Sequence, residues 1–286
     1  MEFTRTGAAI PCDTSVDDFS VGVIADSQYA DRDAWCGRQY RMSLQKLNEA
    51  IADFDNSNLA FAVHLGDFID KARENFDAPL RIWRSLKIPT YCVLGNHDFS
   101  VEQEWRASIP GILGLRERYY SFQYRGWSFI VLDGNDLSTY AWPKGSENLN
   151  QGITLHQTRY TDAPKWNGGI SDQQLAWLDT QLTRADQENL PVALICHFPV
   201  YPPNEHNLWN AEQVICFLDK HRCVRLWLNG HNHDGNYAER CGVHYLTLKG
   251  MVDTPHNSYA TLVFSNDKIV VYGRGRQNGF VLSLLR

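Results

Sequence analysis

The sequence predicts an α/β fold built on parallel strands, and three observations predict it. Short β-branched apolar runs alternate with segments of helical spacing between residues 19 and 98, and the same alternation resumes between residues 192 and 234. Of the 286 residues 43% are hydrophobic and 21% charged, enough apolar material for a large core. Strands alternating with helices favour parallel pairing with right-handed crossovers. A single domain over residues 1–286 is expected, with residues 1–18 a poorly ordered or surface-lying N-terminal segment.

The elements follow in order. Residues 19–26 (FSVGVIAD) read as a strand, and 38–54 as a helix with Tyr40, Leu44, Leu47 and Ile51 on one face. The pattern repeats as a strand over 59–67, a helix over 78–86 and a strand over 89–98. Residues 118–132 read as a hairpin turning at Arg125-Gly126. The Gly-, Asn-, Thr- and Pro-rich stretch 134–169 reads as one long irregular loop, a length that usually signals function. Ser171 with Gln174 forms a capping-box pattern opening a helix through 175–185. Then come a strand over 192–198, a helix over 211–221 and a strand over 224–234. Residues 244–251, 259–265 and 268–274 read as antiparallel strands, the last two joined by a turn at Asn266-Asp267.

The net charge of −6 argues against wrapping nucleic acid or an anionic membrane. No apolar run of about 18 residues appears, and the first twenty residues carry no secretory pattern. The seven cysteines are scattered, with no C-x-x-C pair, and read as reduced thiols of a soluble cytoplasmic protein.

The chemistry sits at predicted strand ends. Five of them finish in metal-capable side chains: Asp26 with Gln28, Asp67, Asn96-His97-Asp98, His197, and His231 with His233. Ligands of open α/β sheets bind beyond the carboxyl ends of strands, so these clusters can converge despite their sequence separation. Taken singly, each Asp is as well explained as a turn or cap residue and His197 as a hydrogen-bonded core histidine. His231 and His233 point to one side of an extended strand end.

The order D-x-Q, GD, GNHD, H, GHxH resembles the metallo-dependent phosphatase (calcineurin-like phosphoesterase) superfamily over Asp26–His233. It departs at the first motif, where Gln28 replaces the usual His. That Gln, the strings VGVIADSQYAD, RQYRMSL, WNGGIS (166–171) and GRGR (273–276) resemble the manganese-dependent ADP-ribose/CDP-alcohol diphosphatases. The resemblance implies a four-layer αββα sandwich of two mixed sheets flanked by helices. It also implies two divalent ions, manganese first with magnesium, iron or zinc as alternatives. One ion would take Asp26, Gln28, Asp67 and His233, the other Asp67, Asn96, His197 and His231. Asp67 suits a bridge because a carboxylate has two oxygens. Oxygen and imidazole donors without thiolate suit such ions, and the amide oxygen of Gln28 shifts preference from zinc toward manganese or magnesium.

His97 is the candidate to protonate the leaving oxygen, and Asp98 either orients it or caps a following helix. Arg32, Arg38 and Arg41 form a basic cluster suited to phosphate. Trp35 and Trp166 could stack on a nucleobase or merely cover the core, and the Gly pair after Asn167 allows close backbone approach. The expected activity is hydrolysis of a small nucleoside diphosphate conjugate into two phosphomonoesters, by a monomer or small homo-oligomer acting on no nucleic acid or membrane. A cyclic-nucleotide phosphodiesterase, a phosphomonoesterase of the same fold and a non-catalytic scaffold are the alternatives.

Overall fold

The computed structural model describes residues 18–285. The expectation for the N-terminal segment therefore falls, except for Asp18, outside the described residues. Twelve strands form two six-stranded mixed sheets. In the first, parallel β1 (Phe19–Ile24), β2 (Phe61–His64) and β3 (Thr90–Cys92) continue through antiparallel β10 (Ser258–Phe264), β11 (Lys268–Gly275) and β12 (Phe280–Ser283) beside β1. The second runs β4 (Tyr120–Tyr124), β5 (Trp127–Val131), β6 (Val192–Ile195), β7 (Val224–Asn229), β9 (Val243–Thr247) and β8 (Asn236–Arg240). Its four central strands are parallel, and β4 and β8 close the edges antiparallel.

The sheets face each other across a core that includes Val23, Phe61, Val63, Phe129, Ile195, Leu228 and Leu262. Helices α1 (Ser43–Asp55) and α2 (Asp77–Trp83) cover the outer face of the first sheet through Leu47, Ile51, Phe54, Leu80 and Trp83. A short α3 (Ile109–Ile112) packs with them. Helices α5 (Asp172–Glu188) and α6 (Ala211–Leu218) cover the second sheet through Leu178, Leu182, Val214 and Leu218. This is the four-layer αββα arrangement. Strands buried on both faces lose their alternation, which is why β1, β2, β6 and β7 read as nearly continuous apolar runs.

The expected hairpin is present, with Arg125 and Gly126 both at positive φ as its tight turn requires. The turn at Asn266-Asp267 is also there. Ser171 caps α5, its Oγ accepting from Gln174 N at 3.2 Å. The box is not reciprocal: the Gln174 amide instead bonds Asp133 N and O, tying α5 to the end of β5.

Two expectations are corrected, and two strands are added. The stretch 134–169 holds a helix, α4 (Glu147–Thr158), capped by Ser146 Oγ. Its buried positions are Leu149, Gly152 and His156, so the apolar stripe that marks a helix is missing. The segment expected as antiparallel over 244–251 supplies β9, which pairs parallel with β7 and antiparallel with β8. Strands β8 and β12 were not expected: β8 (NYAER) is mostly polar, and β12 (FVLS) is a four-residue edge strand too short to show a period. Among the described residues six cysteines are free, and no helix is long and apolar enough to cross a membrane.

Candidate metal centre

The parallel strands end sooner than their apolar runs suggest. The motif residues lie in the tight turns that follow, and four of the seven candidate ligands have left-handed backbones: Asp26 (φ 54°), Gln28 (φ 39°), Asp67 (φ 57°) and His231 (φ 67°). Such strain persists only where the surroundings over-determine it. The glycines of the motifs serve the same crowding. A Cβ on Gly95 would stand 2.1 Å from Asp67 Oδ1, and one on Gly230 2.5 Å from Asp26 Oδ2.

All seven candidates converge between the ends of β1, β2, β3, β6 and β7, and six of them are at least 92% buried side by side with His233. Asp67 is central. Its Oδ2 lies 3.0 Å from Gln28 Nε2 and 3.3 Å from His197 Nε2. His233 Nε2 lies 3.4 Å from Asp26 Oδ1 and 3.2 Å from Gln28 Nε2. His197 Nε2 lies 3.2 Å from both Asn96 Oδ1 and His231 Nδ1.

Each imidazole is held from behind. His197 Nδ1 donates to Leu65 O at 2.8 Å, and His233 Nδ1 pairs with Asp253 Oδ2 at 2.9 Å. His231 Nε2 faces Asn167 Oδ1 at 2.8 Å. The Asn167 amide donates to Glu205 O and Asn207 O, which fixes its oxygen toward His231 and makes that Nε2 the N–H. The nitrogens left over, His197 Nε2 and His231 Nδ1, face each other at 3.2 Å beside Asp67. Gln28 Oε1 is buried with no partner. Converging imidazole nitrogens, two buried carboxylates and an orphaned amide oxygen fit cations, and the donor atoms of Asp67, His197 and His231 lie within 4.8 Å of one another.

Electrostatics agree. Burial opposes charge on Asp67, but His197, His97 and His231 hold it far below the usual carboxylate range. Burial also opposes charge on His197 and His233. Asp67 and Asp26 raise His197 to about 9, and Asp26 and Asp253 raise His233 to about 10. Burial and the neighbouring His197 keep His231 well below an ordinary histidine. Without a cation, protons take its place.

The catalytic candidates divide. His97 lines a cavity of about 350 Å³ with Gln28, Arg38, Asp67, Trp166 and His206. Asp98 does not orient it and caps no helix. Its carboxylate accepts Asp67 N (3.1 Å), Phe68 N (2.8 Å) and Gly95 N (2.9 Å), bracing the turns that carry Asp67 and Asn96. Burial and the adjacent Asp67 push its carboxyl up to about 7. The partner of His97 Nδ1 is Asp70 Oδ1, at 2.9 Å. Burial opposes the charge on His97, and Asp67 and Asp70 outweigh it.

Of the expected substrate residues, Arg38 and Trp166 reach the cavity. Arg41 is engaged at the surface by Asp31 (2.6 Å) and Asp33 (2.5 Å). Arg32 pairs with Asp70 at 3.0 Å. Trp35 is 61% exposed and outside the cavity lining, touching Arg38 only through backbone pairing. Asn167 is buried and serves His231. Sequence reasoning missed Asp70, Asp253 and His206. Asp70 stands in G-D-F-I-D just past a strand end, a readable signal, whereas Asp253 and His206 sit in no motif-like context.

A bed of buried carboxylates, imidazoles and one amide at the strand ends of an αββα sandwich defines the dinuclear phosphoesterase class. The family profile Calcineurin-like phosphoesterase matches residues 19–235, and the chain belongs to that family. The mouse manganese-dependent ADP-ribose/CDP-alcohol diphosphatase is 30% identical, the alignment covering 93% of this chain and 93% of the mouse protein. The Arabidopsis thaliana protein of the same name is 30% identical over 85% of this chain and 89% of its own. The solved structure of a dimetal phosphatase from Danio rerio superposes with a TM-score of 0.85 at 28% identity, covering 93% of this chain and 99% of that one.

Two outcomes are expected. If His97 acts as the acid and Asp70 raises its pKa, Asp70→Asn should move the alkaline limb of the kcat profile to lower pH, because the His97 proton is then lost sooner. Asp98→Asn should leave that limb in place and lower stability instead; the reverse pattern would return the orienting role to Asp98. Second, with both values raised above 7.5, His197 and His233 should be protonated at that pH in metal-free protein. Manganese uptake should then release about two protons per chain, with apparent affinity rising from pH 7 toward 9. Calorimetry in buffers of different ionisation enthalpy counts them, and a count of zero contradicts the assignment.

Proposed function

We propose that the protein is a manganese-dependent hydrolase of nucleoside diphosphate conjugates, ADP-ribose or CDP-alcohols, cleaving the diphosphate into two phosphomonoesters. The observation that carries this reading is the cavity itself, where Arg38, His97, Trp166 and His206 rim the bed of Gln28, Asp67, Asn96, His231 and His233. The names of the mouse and Arabidopsis relatives support the same substrate class. Asp26, Gln28, Asp67 and His233 would hold one ion, and Asp67, Asn96, His197 and His231 the other. Bound there, two divalent ions supply charge neutralisation for the phosphoryl oxygens and a water acidic enough to attack near neutral pH.

The chain's own groups do the rest. His97 has Nδ1 committed to Asp70, which leaves Nε2 to donate a proton to the departing phosphate oxygen. Arg38, 3.9 Å from Asp70 and otherwise facing the cavity, offers a planar fork to the second phosphate. Trp166 is 40% exposed over the cavity, with His206 and His231 against its ring at 5.1 and 5.2 Å. Its open face suits a nucleobase. The oxygen-rich donor set, with no thiolate near it, favours manganese. The acidic chain, with six free cysteines among the described residues, supports a cytoplasmic enzyme acting as a monomer or small homo-oligomer on small molecules.

The test is a panel of ADP-ribose, CDP-choline, cyclic AMP and a nitrophenyl phosphate monoester with manganese present. Hydrolysis of the first two should dominate. Arg38→Ala and Trp166→Ala should each cost about 1–3 kcal/mol of transition-state binding on those substrates, and far less on the monoester. Equal losses on all substrates would make both residues supports of the fold and remove the basis for a nucleotide conjugate.

A further inference from the structure

Lys46 lies in the first turn of α1 and is 2% exposed, yet no carboxylate is hydrogen-bonded to it. Its Nζ donates instead into four successive carbonyls: Met251 (2.7 Å), Val252 (3.4 Å), Asp253 (3.3 Å) and Thr254 (2.5 Å). Four carbonyl dipoles aimed at one point repel one another, and a cation with several donors at that point offsets the repulsion. Burial, with Arg276 adding to it, lowers the amine to about 8, so at neutral pH it keeps its charge and its three donors.

The segment so gathered runs beside the metal centre. Met251 N and Val252 N donate to Ala25 O and Asp26 O, each at 2.9 Å, tying the segment to the first motif. Val252 O accepts from Gln39 N at 2.8 Å, Thr254 N donates to Gly37 O at 2.9 Å, and Asp253 pairs by backbone with Arg38. The Asp253 carboxylate holds His233 Nδ1. Gly250 passes so close to His233 that a Cβ there would stand 2.6 Å from its ring. Thr254 keeps a left-handed backbone, φ 56°, with its carbonyl turned to Lys46. Arg276 secures the flanks at Gly250 O and His256 O.

We propose that Lys46 is a positioning residue: by clamping the carbonyls of 251–254 it sets Asp253, and through Asp253 the His233 ring, and it fixes the backbone that presents Arg38. The inference rests on the ligand set proposed above. A buried lysine kept only for packing would be replaceable by an apolar side chain at little cost, whereas this one holds a geometry that methionine cannot.

The test compares full-length wild type, Lys46→Met, Asp253→Asn and the double variant by manganese calorimetry and by amide hydrogen exchange. In Lys46→Met, exchange over 250–254 and 37–39 should accelerate. One of the two manganese sites should weaken by about 10- to 100-fold, the range typical when a group behind a ligand is lost, while the other stays within about twofold. Asp253→Asn should weaken the same site, and the double variant should lose no more than the worse single one. Wild-type affinity at both sites in Lys46→Met, additive losses in the double variant, or equal weakening of both sites with a lowered Tm would overturn the role. If Lys46→Met does not fold, Lys46→Gln, which keeps two donors without the charge, carries the same comparison. Wild-type protein that binds fewer than two manganese ions would overturn the ligand assignment, a result distinct from two sites that Lys46 does not influence.

Discussion

Two carboxylates without solvent, Asp26 and Asp67, meet where the two sheets present the carboxyl ends of their parallel strands. Burying charge there is costly unless opposite charge neutralises it. Much of the surrounding structure answers that constraint. Three imidazoles lean toward the pair, each anchored from behind by an acceptor on a different element: Leu65 O after β2, Asn167 before α5, and Asp253 after β9. The sheets therefore do more than bring five motifs near one another. They supply the far-side acceptors that turn each ring so that its other nitrogen faces inward.

The same constraint separates two aspartates that the sequence presents as equivalent neighbours of His97. Asp98 is adjacent in the chain but spends its carboxylate on three backbone N–H groups, bracing the left-handed turn at Asp67 and the turn that carries Asn96. Asp70, three residues beyond Asp67, reaches His97 Nδ1 and is itself held by Arg32 and Arg38. Arg38 thereby belongs to two networks, the Asp70 group and the backbone pairing with Asp253, and its head stands at the cavity mouth between them.

How much of this was legible follows from the range of each signal. The α/β alternation was readable because apolar periodicity is local, and the strand-end clusters of Asp26, Gln28, Asp67, Asn96, His197, His231 and His233, which the fold brings together, stood out through the resemblance their order bears to a family pattern. The groups behind them were not readable. Asp253 serves His233 across 20 residues and Asn167 serves His231 across 64, contacts that only the tertiary fold creates. Lys46 carries no such signal, since a lysine in an amphipathic helix ordinarily faces solvent, whereas this one lies on the buried face. Trp35 and Arg41 show the converse error: aromatic and basic residues near a motif were given to the substrate, while the fold turns Trp35 to solvent and Arg41 to Asp31 and Asp33. Helix α4 was hidden because Gly152 and His156 fill positions where an apolar stripe would have announced it.

The shared carboxylate is the claim on which the rest turns, and it is open to direct observation. Crystals of the manganese-loaded protein, measured near the manganese absorption edge, would locate the ions by anomalous scattering. The expected result is two peaks about 3.5–4 Å apart with Asp67 between them. One should lie in reach of Asp26, Gln28 and His233, the other in reach of Asn96, His197 and His231. A single peak, or two peaks that do not share Asp67, would contradict the dinuclear centre.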